Sequence, residues 1–239
     1  MKLAIVVPAY NAAHHLPEVI DRIVATRPPG LLRTVVVDDG STDDTFDVAR
    51  WLAAKHDGID VALRQSNGGY GAAMKTGLGL ACALGANHAA SVHADGQYSP
   101  EALPSLLAEL GERHLDLVQG SRIAGGRARI GGMPRYKIAG NWALGHLERR
   151  VLGLPMTDFH SGYLVYGPRA LAQLPFATLS NSFDFDLEVI ASARARGLAV
   201  GEAPIPTYYG DEISYLNPWT YGLRVLRVLW RFKKGHYGA

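Results

Sequence analysis

Short apolar runs alternate with longer segments of helical periodicity through the first half of this chain. The runs are rich in aliphatic residues, and each is followed by a few turn residues; they are Leu3–Val7, Thr34–Val37, Val61–Leu63, Ala89–His93 and Leu115–Gln119. This alternation predicts a mostly parallel β-sheet that is flanked by helices. Residues 1–120 therefore have the pattern of a Rossmann-like half of an α/β fold.

Two of the segments that follow the strands carry helix start signals. Ser41 to Asp44 fits a capping box, in which two side chains satisfy free backbone N–H groups. Ser99, Pro100 and Glu101 offer an N-cap, a proline at the first helical position and an acid in the first turn. Both patterns predict a helix directly after a strand-end loop.

The pattern loosens after residue 120. A glycine-rich segment precedes a predicted helix near Tyr136–Val151, a strand near Tyr163–Tyr166 and a helix near Phe183–Arg196. The sequence contains no repeat and no linker composition. We therefore expect the second half to pack on the same sheet as the first, in a single domain of residues 1–217.

Residues 218–239 are predicted to form a C-terminal amphipathic helix. Two stripes recur there at helical spacing, one apolar and one basic; their members are Trp219, Leu223, Leu226 and Trp230, and Arg224, Arg227 and Arg231. Two hypotheses follow. The helix either docks on the domain with a solvated arginine face, or lies at an anionic membrane surface with its tryptophans among the lipid headgroups.

Charge is distributed unevenly along the chain. The 24 basic and 22 acidic residues give a net charge of +2, yet no acidic residue and five basic ones follow Glu212. A second acid-free stretch, Leu117–Leu147, is basic and rich in glycine. Two basic regions on a mildly acidic body indicate local anion sites rather than a nucleic-acid surface.

No apolar run approaches the ~20 residues that a membrane-spanning helix needs. The sequence leads from Met1 directly into the first predicted strand, without the apolar segment and cleavage site of a secretory signal. The protein is therefore expected to stay in the cytosol. Its single cysteine, Cys82, lies among alanine and leucine, which predicts core packing rather than a reactive thiol.

Polar side chains follow three of the predicted strands, at the sheet edge where open α/β folds bind ligands. Pro8–Asn11 follows the first strand, and Asp38–Ser41 follows the second, where an acid either accepts bonds from a nucleotide or serves as a helix cap. His93, Asp95 and Gln97 follow the fourth strand. Because alternate residues of an extended segment point the same way, these three are candidates to converge on one cation.

These segments resemble a known family. Val7–Asn11 and Asp38–Asp43 resemble the signature of family 2 glycosyltransferases with the GT-A fold. Further segments are similar to the dolichyl-phosphate mannosyltransferase and glucosyltransferase group of that family; they are Asn67–Gly71, His93–Gln97, Gly120–Arg122, Asp158–Tyr163 and Glu202–Thr207. The resemblance implies a nucleotide-sugar half in residues 1–120 and an acceptor half in residues 121–217.

The resemblance also implies a donor site for a nucleotide diphosphate sugar. Asp39 would hold the ribose or the base, and Asp38 would support it. The other nucleotide-sugar ligands that it implies are Pro8, Ala9, Tyr10, Asn11, Gly69, Lys75, Ala94 and Asp95. Asp95 and Gln97 match the metal and phosphate ligands of the family's acid-any-acid-any-glutamine motif, so a divalent cation, Mn²⁺ or Mg²⁺, is the expected cofactor.

His93 departs from that motif, which has an acid at this position. Mg²⁺ prefers oxygen ligands, whereas imidazole suits softer divalent ions. His93 is therefore expected to ligate the metal and shift its preference toward Mn²⁺, to donate to a phosphate instead, or to have no ligand role.

The catalytic residues implied by the resemblance are Asp95, Arg122, Arg135 and Asp158. The two arginines match residues that hold an acceptor phosphate, which suits the bidentate fork of a guanidinium. Asp158 matches an acid close to the acceptor, and it either acts there or orders the arginines. The sequence lacks the Glu-Asp pair of a hydroxyl-activating base, and a phosphate monoester is already largely ionised near neutral pH. This favours a phosphate acceptor.

The sequence thus predicts an inverting, metal-dependent hexosyltransferase that moves a sugar from GDP-mannose or a UDP-sugar to a polyprenyl phosphate at the cytosolic membrane face. One alternative keeps the fold and transfers to a hydroxyl of a soluble glycan or metabolite. A pyrophosphorylase is another, although the chain lacks the glycine-rich basic loop that such an enzyme needs after the first strand. A non-catalytic sugar-nucleotide-binding protein is the third.

Overall fold

Strands from both halves of the sequence form one sheet. The structure is a computed structural model, and it describes residues 1–124, 135–206 and 218–238. The seven strands in these residues are β1 (Leu3–Ala9), β2 (Leu31–Asp38), β3 (Ile59–Leu63), β4 (His88–Ser91), β5 (Leu117–Ser121), β6 (Leu164–Tyr166) and β7 (Val200–Pro204). Their order in the sheet is β3-β2-β1-β4-β6-β5-β7.

Helices flank this sheet. They are α1 (Leu16–Thr26), α2 (Thr45–Lys55), α3 (Tyr70–Ala83), α4 (Leu103–Glu112), α5 (Arg135–Leu152), α6 (Pro168–Gln173), α7 (Phe185–Ala195) and α8 (Pro218–Lys233). Short 3₁₀ turns occur at Pro100–Ala102 and Phe176–Thr178. The side chains of residues 135–141, 143, 218 and 219 lie outside the description.

The predicted α/β class with a mostly parallel sheet is confirmed, and every strand predicted in the first half is present. β1 pairs in parallel with β2 and β4, and β2 pairs in parallel with β3. β6 is antiparallel to its neighbours β4 and β5. The chain therefore inserts β6, from the second half, between two strands of the first half, so both halves form the predicted single domain.

The sequence pattern does not predict β7. Its apolar alternation is weak because it contains Gly201, Glu202 and Pro204, and only Gly201 and Ala203 of its residues are buried. The strand forms beside β5, with which it pairs in parallel along its whole length. Its existence therefore depends on the sheet edge that β5 provides.

The core lies in two layers, one on each face of the sheet. Along β1, Ala4 and Val6 face one layer, and Leu3, Ile5 and Val7 face the other. All five side chains are buried. Such double burial is typical of a central parallel strand, and it explains why the first apolar run of the sequence has no polar alternation.

The capping box predicted at Ser41 is wrong. α2 starts at Thr45, and Ser41 N and Oγ both donate hydrogen bonds to Asp38 Oδ1 instead. The carboxylate that ends β2 competes for the serine and holds it in the turn. The start predicted at Pro100 is present, as a 3₁₀ turn that leads into α4.

Cys82 is exposed, so the predicted core packing is wrong. The buried face of α3 is formed by residues at helical spacing that include Met74, Gly77, Leu78 and Ala81. Cys82 is one residue beyond Ala81, and this rotates it ~100° away from that face. Apolar neighbours in sequence therefore do not enclose it in the fold.

α8 packs on the domain along one side. Val225, Val228 and Leu229 are buried there, and the helix contacts α7 and α5. The arginine face is not simply solvated, as the docked-helix hypothesis supposes, because Arg224 and Arg231 form ion pairs with acidic residues at the start of α7.

The opposite side of α8 is apolar and open to solvent. Leu223, Leu226 and Trp230 have exposed fractions of 70%, 48% and 58%. These three members of the apolar stripe that the sequence predicts thus lie on the outer face of α8, and a different set of residues joins the core; the side chain of Trp219, the fourth member, lies outside the described residues. None of the described helices is both long and apolar enough to cross a bilayer.

We expect Leu229→Ala to lower the free energy of unfolding by about 2–5 kcal/mol, because it leaves a cavity in the core beneath α8. Leu226→Ala makes the same change on the exposed side and should cost less than about 0.5 kcal/mol. Urea unfolding followed by circular dichroism measures both. Equal effects of the two variants would contradict the docking of α8.

Candidate active site

The loops after β1 and β2 are joined at the carboxyl edge of the sheet. Asn11 N donates to Ser41 Oγ over 2.9 Å, and Thr42 N donates to Asn11 Oδ1 over 2.9 Å. Asn11 has a φ of 49°, in the left-handed region that asparagine tolerates. Asp39 N donates to Ala9 O over 2.8 Å. The structure therefore brings together the two segments that are predicted to hold a nucleotide.

Asp39 is buried, and its carboxylate is bonded within the chain. Arg64 Nε donates to Oδ1 over 2.6 Å, and Gly69 N donates to Oδ2 over 2.8 Å. Gly68 N lies 3.1 Å and 3.2 Å from the two oxygens. These bonds fasten the loop before α3 to the end of β2. Contact of Asp39 with a ribose or base stays a prediction.

Gly69 and Lys75, both predicted at the donor site, lie against the segment that leads into α7. A Cβ added to Gly69 would clash with Asn181 O, so the close approach requires glycine. Lys75 Nζ donates to Leu179 O and, over 2.7 Å, to Asn181 Oδ1. Burial lowers the pKa of Lys75. In the structure, then, Lys75 fastens this segment to α3.

His93 is enclosed by aromatic rings. Its ring centroid lies 5.3 Å from that of Tyr70 and 5.1 Å from that of Tyr98. A Cβ added to Gly162 would stand 2.6 Å from His93 Nε2, so this nitrogen faces a glycine. Burial lowers the pKa of His93, and the nearby Asp95 opposes this only in part. The environment therefore favours a neutral imidazole.

Asp95 suits a hard divalent cation. Its Oδ1 accepts a hydrogen bond from Gln97 N over 3.0 Å, and Oδ2 forms no hydrogen bond or ion pair within the described residues. A cation that binds with a diphosphate takes most of its ligands from phosphate oxygens and water, and needs one or two carboxylates from the protein. Asp95 and the Gln97 amide fit that requirement, whereas His93 Nε2 is turned to Gly162.

The protein does not build a complete metal cage in its described part. No cluster of at least three acidic, histidine or cysteine side chains able to hold a metal occurs among residues 1–124, 135–206 and 218–238. Within the described residues, Asp95 is thus not part of such a cluster.

Arg122 and Asp158 form a buried ion pair at the end of β5. Arg122 Nε donates to Asp158 Oδ2 over 2.7 Å, and Nη2 donates to Oδ1 over 2.9 Å, in a bidentate fork. Arg122 N also donates to Oδ2, over 3.0 Å. The side chains are 10% and 0% exposed. Nη1 lies 3.4 Å from the hydroxyl of Tyr98, so the guanidinium reaches toward the loop after β4.

Asp158 is bonded as an orienting group rather than as a base. Both of its oxygens accept hydrogen bonds from Arg122, and Oδ1 also accepts one from His160 N over 3.0 Å. Burial opposes ionisation, but the charge and hydrogen bonds of Arg122 outweigh it and lower the pKa of Asp158. Of the two roles that the sequence left open, these contacts support the one in which Asp158 orders Arg122.

Glu202 positions the turn that carries Asp158. Its Oε2 accepts hydrogen bonds from Thr157 N over 2.8 Å, from Thr157 Oγ1 over 3.0 Å and from Asp158 N over 3.2 Å. The resemblance includes Glu202 but assigns no role to it. Its contact depends on β7 lying beside β5, and no local sequence signal could have indicated that.

His160 and Tyr221 connect this site with α8. His160 Nδ1 and the Tyr221 hydroxyl oxygen are 2.8 Å apart, and His160 Nε2 lies 3.1 Å from Glu148 Oε2 of α5. Burial raises the pKa of Tyr221, so its hydroxyl stays protonated. No sequence pattern indicates a role for these three residues, because their contacts join distant elements.

Asp186 is a further buried acid that the sequence patterns do not single out. It is 5% exposed, and its Oδ1 has no hydrogen-bond partner in the described part of the chain. Burial raises the pKa of Asp186 to about 7, against an opposing hydrogen bond from Tyr70. A Cβ added to Gly162 would stand 3.2 Å from Asp186 Oδ2, so this acid lies close to the glycine that His93 faces.

The remaining predicted residues are less informative. Arg135 begins α5, but its side chain lies outside the described residues. Ala94 is buried in the loop after β4. The site as described therefore contains joined strand-end loops, an available carboxylate at Asp95 and an oriented guanidinium at Arg122. Such parts suit group transfer between two anionic ligands.

Comparison with known proteins assigns most of the chain to one family. The family model described as glycosyl transferase family 2 matches residues 4–174. This range contains the loops after β1, β2 and β4 and the Arg122–Asp158 pair.

Three relatives align with this chain over most of its length. An undecaprenyl-phosphate mannosyltransferase of Micrococcus luteus is 30% identical over 90% of this chain and 86% of its own length. A polyprenol monophosphomannose synthase of Mycolicibacterium smegmatis is 30% identical over 84% of this chain and 75% of its own. A UDP-N-acetylglucosamine–dolichyl-phosphate N-acetylglucosaminyltransferase of Methanococcus voltae is 27% identical over 87% and 86%.

Solved structures share the fold. Glucosyl-3-phosphoglycerate synthase of Mycobacterium tuberculosis, crystallised with Mn²⁺, UDP and glucosyl-3-phosphoglycerate, superposes with a TM-score of 0.73. It is 21% identical, and the match covers 97% of this chain and 79% of that chain. The same protein crystallised with Mg²⁺ and UDP gives a TM-score of 0.70 at 21% identity, with coverages of 97% and 79%.

We expect Asp158→Asn and Arg122→Met each to lower the free energy of unfolding by about 3–5 kcal/mol, because each leaves its partner's charge buried without compensation. The double variant should be less destabilised than the sum of the two by about 1–3 kcal/mol. Urea unfolding of the four proteins measures this coupling. Additive effects would contradict a direct interaction between the two side chains.

The same pair predicts a dependence on pH. Because the pKa of Asp158 is lowered in the fold, its stabilising contribution is present above the ordinary carboxyl pKa of about 4 and is lost as the pH falls through the lowered value. Asp158→Asn should remove this part of the acid-side loss of stability. An acid unfolding profile that is unchanged by the substitution would contradict the lowered pKa.

Proposed function

The chain belongs to glycosyl transferase family 2, and we propose that it transfers a sugar from a nucleotide diphosphate sugar, GDP-mannose or a UDP-sugar, to a polyprenyl phosphate. Two relatives at 30% identity are named for undecaprenyl-phosphate and polyprenol substrates. In the structure, the observation that carries the proposal is the Arg122–Asp158 fork, which orients a buried guanidinium at the end of β5. An oriented guanidinium suits a phosphate acceptor.

The donor is proposed to bind along the joined loops after β1 and β2. Pro8–Asn11 would line the base, and Asp38 and Asp39 would hold the ribose or base from the end of β2. The bonds between the two loops support this assignment, because they place both segments at one edge of the sheet before a ligand arrives.

Asp95 and Gln97 would hold a divalent cation, Mn²⁺ or Mg²⁺, together with the diphosphate. When it is bound, such an ion neutralises the negative charge that develops on the leaving diphosphate. Gln97 N orients the Asp95 carboxylate through Oδ1, and Oδ2 is left for a ligand. His93 Nε2 faces Gly162, so Asp95 supplies the charge of this loop.

Arg122 is proposed to hold the acceptor phosphate through N–H groups that Asp158 does not occupy. An acceptor oxygen then attacks the anomeric carbon opposite the leaving diphosphate, and the configuration inverts. A phosphate monoester is largely ionised near neutral pH, so the step needs no residue to remove a proton. This agrees with Asp158, whose oxygens are both bonded and whose pKa is lowered.

Transfer to a hydroxyl of a soluble acceptor is the second candidate. It requires a base near neutrality, and Asp186 is the observation in its favour because burial raises the pKa of Asp186 to about 7. Only 5% of Asp186 is exposed, which leaves little of it open to an acceptor. The phosphate acceptor is therefore better supported.

We further propose that the protein associates peripherally with the cytosolic face of a membrane through α8. The exposed apolar stripe Leu223–Leu226–Trp230 supports this, since lipid chains would cover it. Arg227 and Lys234 are exposed next to it and would meet anionic headgroups. Such a position would bring the candidate active site close to a lipid-linked acceptor.

Arg122→Lys tests the acceptor assignment. The charge remains but the bidentate fork is lost, so we expect transfer to a short polyprenyl phosphate to fall about 10- to 100-fold. Affinity for the nucleotide sugar should stay within about threefold. Transfer is measured by extraction of radiolabelled product into organic solvent, and donor affinity by calorimetry.

Arg33→Lys is the matched control, because Arg33 is half-exposed on β2 and pairs with Asp60 away from the site. It should leave both quantities unchanged. A loss of donor affinity in Arg122→Lys equal to the loss of transfer would place Arg122 at the diphosphate instead. Full activity of the wild-type protein on an uncharged acceptor alcohol would reject the phosphate acceptor.

Asp95→Asn tests the cation site. The amide removes the charge that a hard cation needs, so Mn²⁺ should no longer strengthen the binding of UDP or GDP. A ligand at 100 times its Kd stabilises a protein by about 2.7 kcal/mol, which thermal unfolding with each nucleotide, with and without Mn²⁺, detects. His93→Asp restores an acid at that position and should retain activity with a shift of preference toward Mg²⁺.

Asp57→Asn, at an exposed position after α2, is the control for these measurements. A response to Mn²⁺ that survives in Asp95→Asn would reject Asp95 as a ligand. A metal preference that is the same in His93→Asp and the wild-type protein would show that residue 93 does not contact the metal.

A further inference from the structure

A groove between α8 and the start of α7 belongs to neither the donor site nor the acceptor site. Its volume is about 450 Å³. The segment Thr178–Ser180 lies along one side of it, and the arginine stripe of α8 lies along the other; the three arginines are Arg224, Arg227 and Arg231. The basic stripe that the sequence shows is therefore the wall of a cavity.

Acidic residues at the start of α7 orient two of these arginines. Arg224 Nη1 donates to Asp184 Oδ1 over 3.2 Å, and Arg231 Nη1 donates to Glu188 Oε1 over 2.6 Å. The acidic side chains are 10% and 2% exposed, so they lie beneath the groove. A guanidinium has five N–H donors, and each of these arginines therefore keeps donors for a further ligand.

Glu188 is already engaged by several donors. Its Oε1 also accepts a hydrogen bond from the Tyr237 hydroxyl over 2.6 Å, and its Oε2 accepts one from Ser180 N over 2.5 Å. The negative charge of Glu188 is therefore used by neighbouring protein groups. The residues that line the groove include three arginines and two acids, so the lining has an excess of positive charge.

Arg227 has no hydrogen-bond or ion-pair partner within the described residues. It is exposed, and it follows Arg224 by three residues and precedes Arg231 by four, so the three guanidinium groups share one side of the helix. An unpaired arginine between two oriented ones forms a cluster that suits a phosphate.

The apolar stripe of α8 borders this cluster. Leu223 lines the groove and is 70% exposed, and Trp230, further along the stripe, is 58% exposed. A ligand in the groove would meet N–H donors beside apolar side chains. This combination matches the phosphate of a lipid headgroup and the first carbons of its chains.

We propose that this groove binds the phosphate of an anionic phospholipid headgroup. This proposal rests on the membrane association proposed above. It adds a specific binding site for one lipid molecule, separate from the acceptor site at Arg122. A lipid bound there would also fix the position of α8, whose Tyr221 contacts His160 in the candidate active site.

Flotation of the full-length protein with vesicles tests this site. The vesicles contain phosphatidylcholine, with or without phosphatidylglycerol. Arg227→Gln should lower partitioning onto the phosphatidylglycerol vesicles at least about tenfold, because it removes a charge-assisted contact. Lys234→Gln removes the same charge from the end of the helix outside the groove, and should lower it only about fivefold.

Transfer to a short, water-soluble polyprenyl phosphate should be unchanged in both variants, which separates this test from that of the active site. Equal losses of partitioning in the two variants would overturn the proposed lipid site in the groove. Nonspecific electrostatic attraction between basic residues and the anionic vesicle surface would then explain both losses. No binding of the wild-type protein to the phosphatidylglycerol vesicles would overturn both the groove and the membrane association.

A measurement with inorganic phosphate distinguishes binding of a lipid from binding of a free ion. The melting temperature of the wild-type protein is measured with inorganic phosphate and with sulfate at equal ionic strength. We expect no phosphate-specific rise. A rise that Arg227→Gln abolishes, together with equal partitioning onto vesicles with and without phosphatidylglycerol, would show a site for the free ion and would overturn the lipid assignment.

Discussion

The buried ion pair between Arg122 and Asp158 is the interaction on which the candidate active site at the end of β5 depends. Taking two charges out of water costs several kcal/mol for each ion, and mutual attraction offsets this only when further hydrogen bonds satisfy the remaining atoms. Here the fork, Arg122 N and His160 N engage both oxygens of Asp158. Glu202 holds the backbone of the same turn. The pair therefore requires β5, β7 and the turn before β6 to be in place together.

The antiparallel strand β6 explains how two distant parts of the chain form one site. It lies between β4 and β5, so the segment that precedes it arrives at the edge where the parallel strands end. Ser91 Oγ donates to Gly162 O over 2.6 Å and accepts a hydrogen bond from Leu164 N over 2.9 Å, which fixes this arrival. As a result, Gly162 stands against His93, and the loop after β4 meets the segment before β6 inside the core.

α8 has one face in the core and one face open to solvent. Its buried face completes the core, and Tyr221 on this helix reaches His160 at the candidate active site. Its outer face is apolar, beside arginines that are partly paired with α7. An event at the outer surface is therefore connected to the Asp158 turn through a short chain of contacts.

The sequence by itself determined the α/β class, the five parallel strands of its first half and the polar loops at their ends, because strand and helix periodicity are properties of neighbouring residues. The same local pattern singled out His93, Asp95 and Gln97 as candidate ligands, and this stays a prediction. The local pattern was wrong at two residues. Ser41 is bonded to the Asp38 carboxylate and does not cap a helix, and Cys82 is exposed because it lies off the buried face of α3.

Only the tertiary structure decided which side chains meet. Arg122 and Asp158 are 36 residues apart, and His160 and Tyr221 are 61 apart. Contacts between residues so far apart in sequence are decided by the order of the strands in the sheet. The position of β7 and the outward face of α8 also follow from the sheet, because it determines which surfaces other elements can cover.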